Sequence, residues 1–428
     1  MADERQRDEV EVHLEAAELC PPRRLGVLTR QQVRGHAVLS FEYDATWLED
    51  DLAFALDPSL ALYSGEQYAA HDAQPFGIFL DSAPDRWGRL LMERREALLA
   101  RRERRPVRAL ADWDFLLGVH DHARLGALRF RRGPEQPFLD DSEFSAPPVA
   151  RLRELEHCAR ELEAPGSEQR PEYAQWLALL LAPGSSLGGA RPKASFTDQD
   201  GSLWMAKFPS REDHRDVGAW QYLVDGLARD AGIEVPESRL LSLSGAQRTF
   251  CARRFDRVAD SRRMVASTMT LLGRRDGETG ASYLDLALLI QDHGAPGAIE
   301  ADLEQLFRRV VFNVMVGNRD DHLRNHACLR TPGGWRLAPA YDMNPNVEKA
   351  EHSLALDARQ TFPELALVAA TAPFYRMESR QAQRIIQELR EVVSEWRRRA
   401  RAIELPASEI ALVAPAFTHA ERGAWHNS

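Results

Sequence analysis

Lysine is almost missing from this chain. Of its 55 basic residues only three are lysines: Lys193, Lys207 and Lys349. Wherever any cation would serve, the sequence uses arginine. Each surviving lysine is therefore a pointer to a place that suits a compact ammonium rather than a planar guanidinium. Cysteine is sparse too. The four cysteines, Cys20, Cys158, Cys251 and Cys328, lie far apart with no C-x-x-C pair, so they read as buried thiols rather than a disulfide framework or a thiolate metal site. No apolar run reaches the roughly 18 residues that a membrane-spanning helix needs. The first residues, Met-Ala-Asp-Glu-Arg-Gln-Arg-Asp, lack the apolar stretch of a signal peptide, and the expected location is the cytoplasm, with no membrane partner. A net charge of −10 argues against whole-molecule attraction to nucleic acid or anionic lipid. The basic stretches Arg101–Arg105 and Arg397–Arg401 read as solvated helix faces, the sharper alternative being a contact to DNA held by a partner protein.

What remains is an ordinary globular composition, 44% hydrophobic and 28% charged over 428 residues, long enough for two or three domains. Val10, Val12 and Leu14 alternate with polar neighbours and predict a strand over 9–14, followed by strands at Leu25–Thr29 and Ala37–Tyr43. Asp85 is placed to cap a helix carrying Trp87, Leu90, Leu91, Leu98 and Leu99 on one face. Ala111–Val119 reads as a helix and Gly126–Phe130 as a returning strand. A stretch rich in proline, acid and serine then marks a linker at 136–150. Helices are expected near 150–163 and 172–182, and strands at Lys193–Thr197 and Ser202–Phe208 around the turn Asp198-Gln-Asp-Gly201. A helix at 214–230 and strands at Glu237–Leu243 and Thr249–Arg253 follow. Beyond Asp260 the pattern turns mainly helical: Tyr283–Gln291, Ile299–Val316 and one long helix Gln381–Ala402. The order predicts an α+β fold. A small sheet-containing domain at 1–135 precedes a bilobal, kinase-like layout, with a mixed α/β lobe at 151–258 and a mainly helical lobe at 259–428.

Three motifs carry chemistry. Gly184, Gly188 and Gly189 share a short stretch with Ser185 and Ser186, a loop whose backbone N–H groups can approach anionic oxygens. It ends in Gly189-Ala-Arg191 rather than Gly-Lys-Ser/Thr, so it is not a Walker A loop. It leads into a strand, as a flap over ATP phosphates would. Lys207 ends the next strand, where kinases keep a phosphate-binding lysine. The third motif is the most specific. Asp320 and Asn325 are five apart in Gly317-Asn-Arg-Asp-Asp-His-Leu-Arg-Asn325, and Asp342 follows in Ala338-Pro-Ala-Tyr-Asp-Met-Asn-Pro345. Kinase loops space a base Asp, a metal-binding Asn and a second metal-binding Asp in this order. Phosphoryl transfer needs oxygen ligands for Mg²⁺ and a group to orient the attacking hydroxyl, and these three supply both.

The same segment admits two other readings. His322 and His326 are four apart, so on a helix they could share a zinc ion with Asp320 or Asp342 as third ligand. In the blander reading, Asp320 and Asp321 cap a helix while His322 bonds within the core.

These motifs resemble the HipA family of bacterial serine/threonine kinases, the toxin halves of HipA/HipB toxin–antitoxin pairs. Phe76–Arg89 with Arg124–Leu128 resembles the family's N-terminal domain, Ser186–Lys193 its Gly-rich loop, Met205–Pro209 its ATP-lysine strand and Arg254–Arg257 its hinge. Gly317–Asn325 and Ala338–Pro345 resemble its catalytic and metal loops. The resemblance implies that Asp320 is the catalytic base and that Asn325 and Asp342 bind Mg²⁺. It implies that Lys207 holds ATP phosphates with Ser186, Gly188 and Gly189 of the loop, and that the backbone near Arg254 and Phe255 meets adenine. It further implies autophosphorylation at Ser186 or Ser185 as an off-switch, and an antitoxin partner of HipB type whose helix-turn-helix brings DNA indirectly. Family members phosphorylate aminoacyl-tRNA synthetases, which offers a class of protein substrate, although these motifs do not themselves select a target. The alternative function is a nucleotide-binding co-repressor that acts with the antitoxin on DNA.

Overall fold

A computed structural model of the chain describes residues 7–421 except 17, 34–35, 70–74, 140–145, 182–188 and 260. The chain is a mixed α/β protein with an N-terminal sheet and a helical C-terminal region. It divides into two compact units, Met1–Arg211 with Asp256–Arg275, and Glu212–Phe255 with Asp276–Ser428.

In the first unit β1 (Arg7–Ala16), β2 (Cys20–Val33), β3 (His36–Tyr43), β4 (Gln67–Tyr68) and β5 (Leu128–Arg131) form an antiparallel sheet in the order β4-β3-β2-β1-β5. The alternation read from sequence sets its inner face: Val10, Val12 and Leu14 are fully buried. β2 and β3 run longer than their apolar centres. Arg24 on β2 donates to Asp44 at 2.8 Å, so a charged strand end stays in the ladder by ion pairing. Four helices and two strands of this unit bear on function. α1 (Arg86–Glu103) begins at Asp85, whose carboxylate accepts from Gly88 N at 2.8 Å. Its buried face is Trp87, Leu91, Met92, Glu96 and Ala100, whereas Leu90 and Leu99, expected on that face, are exposed. α2 (Asp112–Leu117), α3 (Leu152–Leu162) and α4 (Tyr173–Leu181) lie where periodicity put helices. β6 (Lys193–Thr197) and β7 (Leu203–Lys207) form a hairpin with Lys193 opposite Lys207, turned at Gly201, whose φ of +81° suits glycine.

In the second unit α5 (Val217–Asp230) is capped by Asp216 and buries Trp220, Leu223, Val224 and Leu227. β8 (Ser238–Leu241) and β9 (Thr249–Arg253) pair antiparallel. α6 (Tyr283–His293) starts with a Ser282/Asp285 capping box. α7 (Ile299–Val316) is buried all round over its last two turns and is the core of the unit, with Leu303, Leu306, Phe307, Val310, Val311, Phe312, Val314, Met315 and Val316 fully buried. At roughly 1.5–3 kcal/mol per buried apolar side chain, this helix firmly anchors the loop that carries Asp320. β10 (Ala327–Thr331) and β11 (Gly334–Leu337) form a hairpin within the stretch read as mainly helical. The single helix expected over Gln381–Ala402 is two, α8 (Ser379–Ser394) and α9 (Trp396–Ala402). The break at Glu395 lets Trp396 stack on Phe417 with ring centroids 4.3 Å apart and planes 9° off parallel. That burial outweighs the propensity of an unbroken helix.

Candidate active site

α7 and the β10–β11 hairpin build the site. Gly317 ends α7 with φ +66°, and a Cβ there would lie 2.8 Å from Ala416 Cβ and O, so the position needs glycine on both counts. The chain turns sharply and presents Asn318 to His326 as a loop. Because β10 and β11 are antiparallel, with Cys328 opposite Leu337, the residues before β10 and after β11 emerge side by side. This brings the Asp320–Asn325 loop alongside the Asp342 loop. The Tyr341 hydroxyl donates to Arg324 O at 2.7 Å, so the immediate neighbours of Asp342 and Asn325 are bonded to each other. Asn344 N donates to Asn318 Oδ1 at 3.3 Å and Asn346 N to Gly317 O at 2.9 Å.

Two buried charges tie these loops to the helix. Asp302 on α7 accepts a bidentate pair from Arg336 at 2.9 and 3.0 Å and a third bond from Leu337 N at 3.0 Å. Arg309 Nη2 donates to Ala338 O at 2.6 Å, and its burial pulls the guanidinium down to about 10.

Under the loop lies a polar network. The buried Asp321 carboxylate accepts from the Tyr283 hydroxyl at 2.6 Å and from Asn313 Nδ2 at 2.9 Å, and is 2.7 Å from His326 Nε2. Burial works to raise the Asp321 carboxyl, but His326 and the Tyr283 hydrogen bond hold it below its ordinary value. Burial, then the Asp321 charge, pushes the Tyr283 hydroxyl well up. The core histidine is thus His326, bonded to Asp321, whereas His322 is exposed. The zinc reading fails on this geometry. Only Leu323–Asn325 is helical, as one 3₁₀ turn, so no α-helix aligns His322 with His326. No cluster of three His, Cys, Asp or Glu fit for a metal exists among the described residues.

Asp320 is exposed, and one carboxylate oxygen is ion-paired with the Lys349 ammonium. Asn325 is buried with its Nδ2 3.4 Å from Asp320 O, leaving the amide oxygen as an acceptor. Asp342 sits at φ +60°, an uncommon conformation for a residue with a side chain. Asn344 Nδ2 donates to Asp342 Oδ1 at 3.3 Å, while Asn344 Oδ1 is buried without a hydrogen-bond partner. Two amide oxygens and a carboxylate in adjoining loops fit the donor set of Mg²⁺, which takes few protein ligands beside phosphate and water. Phe255 stacks on Tyr341 with centroids 5.5 Å apart, and Arg254 is buried.

The other expected site residues belong to the first unit. Lys207 ends β7, half-buried. Lys193, its cross-strand neighbour, is 1% exposed and pairs with Asp85 Oδ2 at 2.5 Å, while its Nζ also donates to Gly189 O at 3.1 Å. Gly189 has φ +116°. Ser185, Ser186 and Gly188 lie outside the described residues. The sequence reading missed the Asp321 network, Asn344 and Lys349. The signal for Lys349 was present, since it is one of only three lysines.

Residues 185–396 match the family model of the HipA-like C-terminal domain. Two curated proteins, both named "Putative kinase", are similar: one from Haemophilus influenzae, 26% identical over 37% of this chain and 52% of that protein, and one from Sinorhizobium fredii, 25% identical over 39% and 44%. The chain spans about half the length of the curated relatives it matches. Among solved structures, HipA of the Shewanella oneidensis MR-1 toxin–antitoxin system, determined with HipB and its operator DNA, shares the fold. Its TM-score is 0.65 at 17% identity, covering 96% of this chain and 95% of that one. By its sequence match, this chain carries a HipA-like C-terminal domain over residues 185–396.

Proposed function

We propose that this chain is an ATP- and Mg²⁺-dependent serine/threonine protein kinase, the growth-inhibiting toxin of a toxin–antitoxin pair. The observation that carries the reading is the hairpin that sets the Asp320–Asn325 loop beside the Asp342 loop, bonded through Tyr341 and Arg324. Asp320 is exposed and able to orient a substrate hydroxyl and accept its proton. Mg²⁺, held by Asn325 and Asp342, would supply charge neutralisation on the phosphates. Lys207 would hold ATP phosphates, Gly188 and Gly189 with Ser186 would cover them, and the backbone at Arg254 and Phe255 would meet adenine. A phosphate on Ser186 or Ser185 would add about −1.5 to −2 charge to that loop and disfavour its ATP-covering position. The protein substrate would be of the aminoacyl-tRNA synthetase class, and the chain would work in the cytoplasm.

The test is transfer of phosphate from labelled ATP to the chain itself or to a lysate protein, with phosphosites read by mass spectrometry. Asp320→Asn should lower transfer at least about 100-fold, as loss of a general base does. No transfer by the wild type, or undiminished transfer by the variant, would sink the reading. A second role, nucleotide-binding co-repressor with a helix-turn-helix antitoxin on DNA, is favoured by the fold shared with a HipA solved on HipB and operator DNA. It requires repression to survive Asp342→Ala, whereas kinase activity should not.

A further inference from the structure

Lys349 is the one lysine that the sequence motifs leave unexplained. It is held in place by more than its own charge. Its backbone N–H donates to Asn346 Oδ1 at 2.9 Å, and its carbonyl accepts from Arg319 Nη1 at 2.6 Å. Asn346 N is bonded to Gly317 O, and Ser353 N to Arg319 O at 3.1 Å. The segment 346–353 is thus laced along the residues that lead into Asp320. From there Lys349 Nζ reaches the Asp320 carboxylate, with Ser353 Oγ 3.4 Å away on its other side. A freely moving surface lysine would not be tethered at its backbone on both sides of the motif it touches. Arg324, four residues after Asp320, points elsewhere, to a loose pair with Asp276 at 3.9 Å. Among the described residues, Lys349 is thus the cation paired with Asp320, in a chain that otherwise favours arginine.

We propose that Lys349 is a positioning residue for phosphoryl transfer: it fixes the Asp320 carboxylate and places a permanent positive charge where the transferred group passes. This inference rests on the kinase reading above. In the step, the substrate hydroxyl oxygen bonds to the γ-phosphorus while the bond from that phosphorus to the β–γ bridging oxygen breaks, and ADP leaves with the electron pair. The hydroxyl proton passes to Asp320 and then to solvent. Lys349 stays protonated throughout. Its ammonium holds one carboxylate oxygen, leaving the other to meet the hydroxyl, and offers N–H donors to the equatorial phosphoryl oxygens, over which charge spreads in the transition state. A guanidinium is planar and wider, so arginine does not reproduce this bridging of two oxygens.

The experiment compares steady-state transfer by the full chain with that of Lys349→Met, Lys349→Arg and Lys349→Ala, the last also in added ethylammonium. The expected result is a fall in kcat of about 100-fold for Lys349→Met, the size seen when one charge-stabilising donor is removed. The KM for ATP should change less than about threefold, Lys349→Arg should restore only part of the rate, and ethylammonium should rescue Lys349→Ala in a saturable way. Thermal melts of the variants should match wild type, since the side chain is 47% exposed. A wild type without transfer removes the kinase reading itself. An active wild type with Lys349→Met at wild-type kcat, or faster as an inhibitory plug would give, overturns the role of Lys349 alone. So does a loss of kcat that follows a lowered melting temperature and resists rescue.

Discussion

Gly317 decides where Asp320 stands. The α7 helix could not end and turn back within one residue without a left-handed backbone there, and the Ala416 contact leaves no room for a side chain. Gly317→Ala should therefore cost roughly 1–3 kcal/mol in urea unfolding, the usual penalty for forcing extra volume into a packed contact, with strain at positive φ adding to it. It should also lower phosphate transfer more than it lowers stability, because the loop carrying Asp320 and Asn325 starts at this residue. A variant as stable and active as wild type would show that the loop tolerates another exit. At this scale the sequence was legible where chemistry fixes spacing. Asp320, Asn325 and Asp342 were singled out by residue type and interval, and the fold sets their loops side by side. Asp321 could not: nothing in Asp-Asp-His distinguishes the exposed carboxylate from the buried one, and only folding against Tyr283, Asn313 and His326 separates them.

Elements were legible in proportion to how local their causes are. α7 and β9 have the predicted bounds, Ile299–Val316 and Thr249–Arg253, because a continuous apolar face and a short β-branched and aromatic run need no distant partner. The β10–β11 hairpin was missed because its nine residues hold one β-branched residue, Thr331, and one aromatic, Trp335, so composition gave little strand signal. The α8–α9 break depends on Phe417, which no window around Glu395 contains. The join between α1 and β6 is likewise non-local. Asp85 caps α1 and at the same time neutralises Lys193, with both side chains no more than 3% exposed. Burial raises the Asp85 carboxyl above its ordinary value against the pull of Lys193. Lys193→Met should strand that carboxylate and cost about 3–5 kcal/mol near neutral pH. Since a carboxyl with a raised folded value favours the fold below its unfolded value and loses that contribution as pH rises, the cost should shrink in acid. Adding Asp85→Asn keeps a capping side chain and removes the charge, so the double variant should recover most of the loss. Denaturant melts of the two variants at two pH values check this, and a double variant no better than the single one would mean that the pair is not the link between helix and strand.

For the molecule as a whole, a net charge of −10 argues against general attraction to polyanions. The same charge balance bears on acid stability, and there His352 makes the sharpest prediction. Burial lowers this imidazole to about 4; the Asp321 charge opposes the shift, and Arg319 and His419 add to it. It is neutral in the fold at neutral pH. An unfolded histidine takes up its proton near pH 6.5, so between about 6.5 and about 4 the unfolded chain holds more protons than the folded one. Stability from this group is complete above about pH 6.5 and drains away as pH falls to about 4, by about 3 kcal/mol for a shift of this size. Asp321 behaves differently. Its carboxyl is held below the ordinary value, so its contribution persists through that window and is lost only as pH falls below about 4. The urea midpoint of the wild type should therefore be flat from pH 8 to 7 and fall from 6.5 to 4. His352→Phe should flatten that limb, while Asp321→Asn, which removes the charge opposing the His352 shift, should extend it to lower pH and abolish the Asp321 part of the loss below about pH 4. If His352→Phe and wild type instead lose stability in parallel, the acid sensitivity lies in other groups and His352 is protonated in both states or in neither.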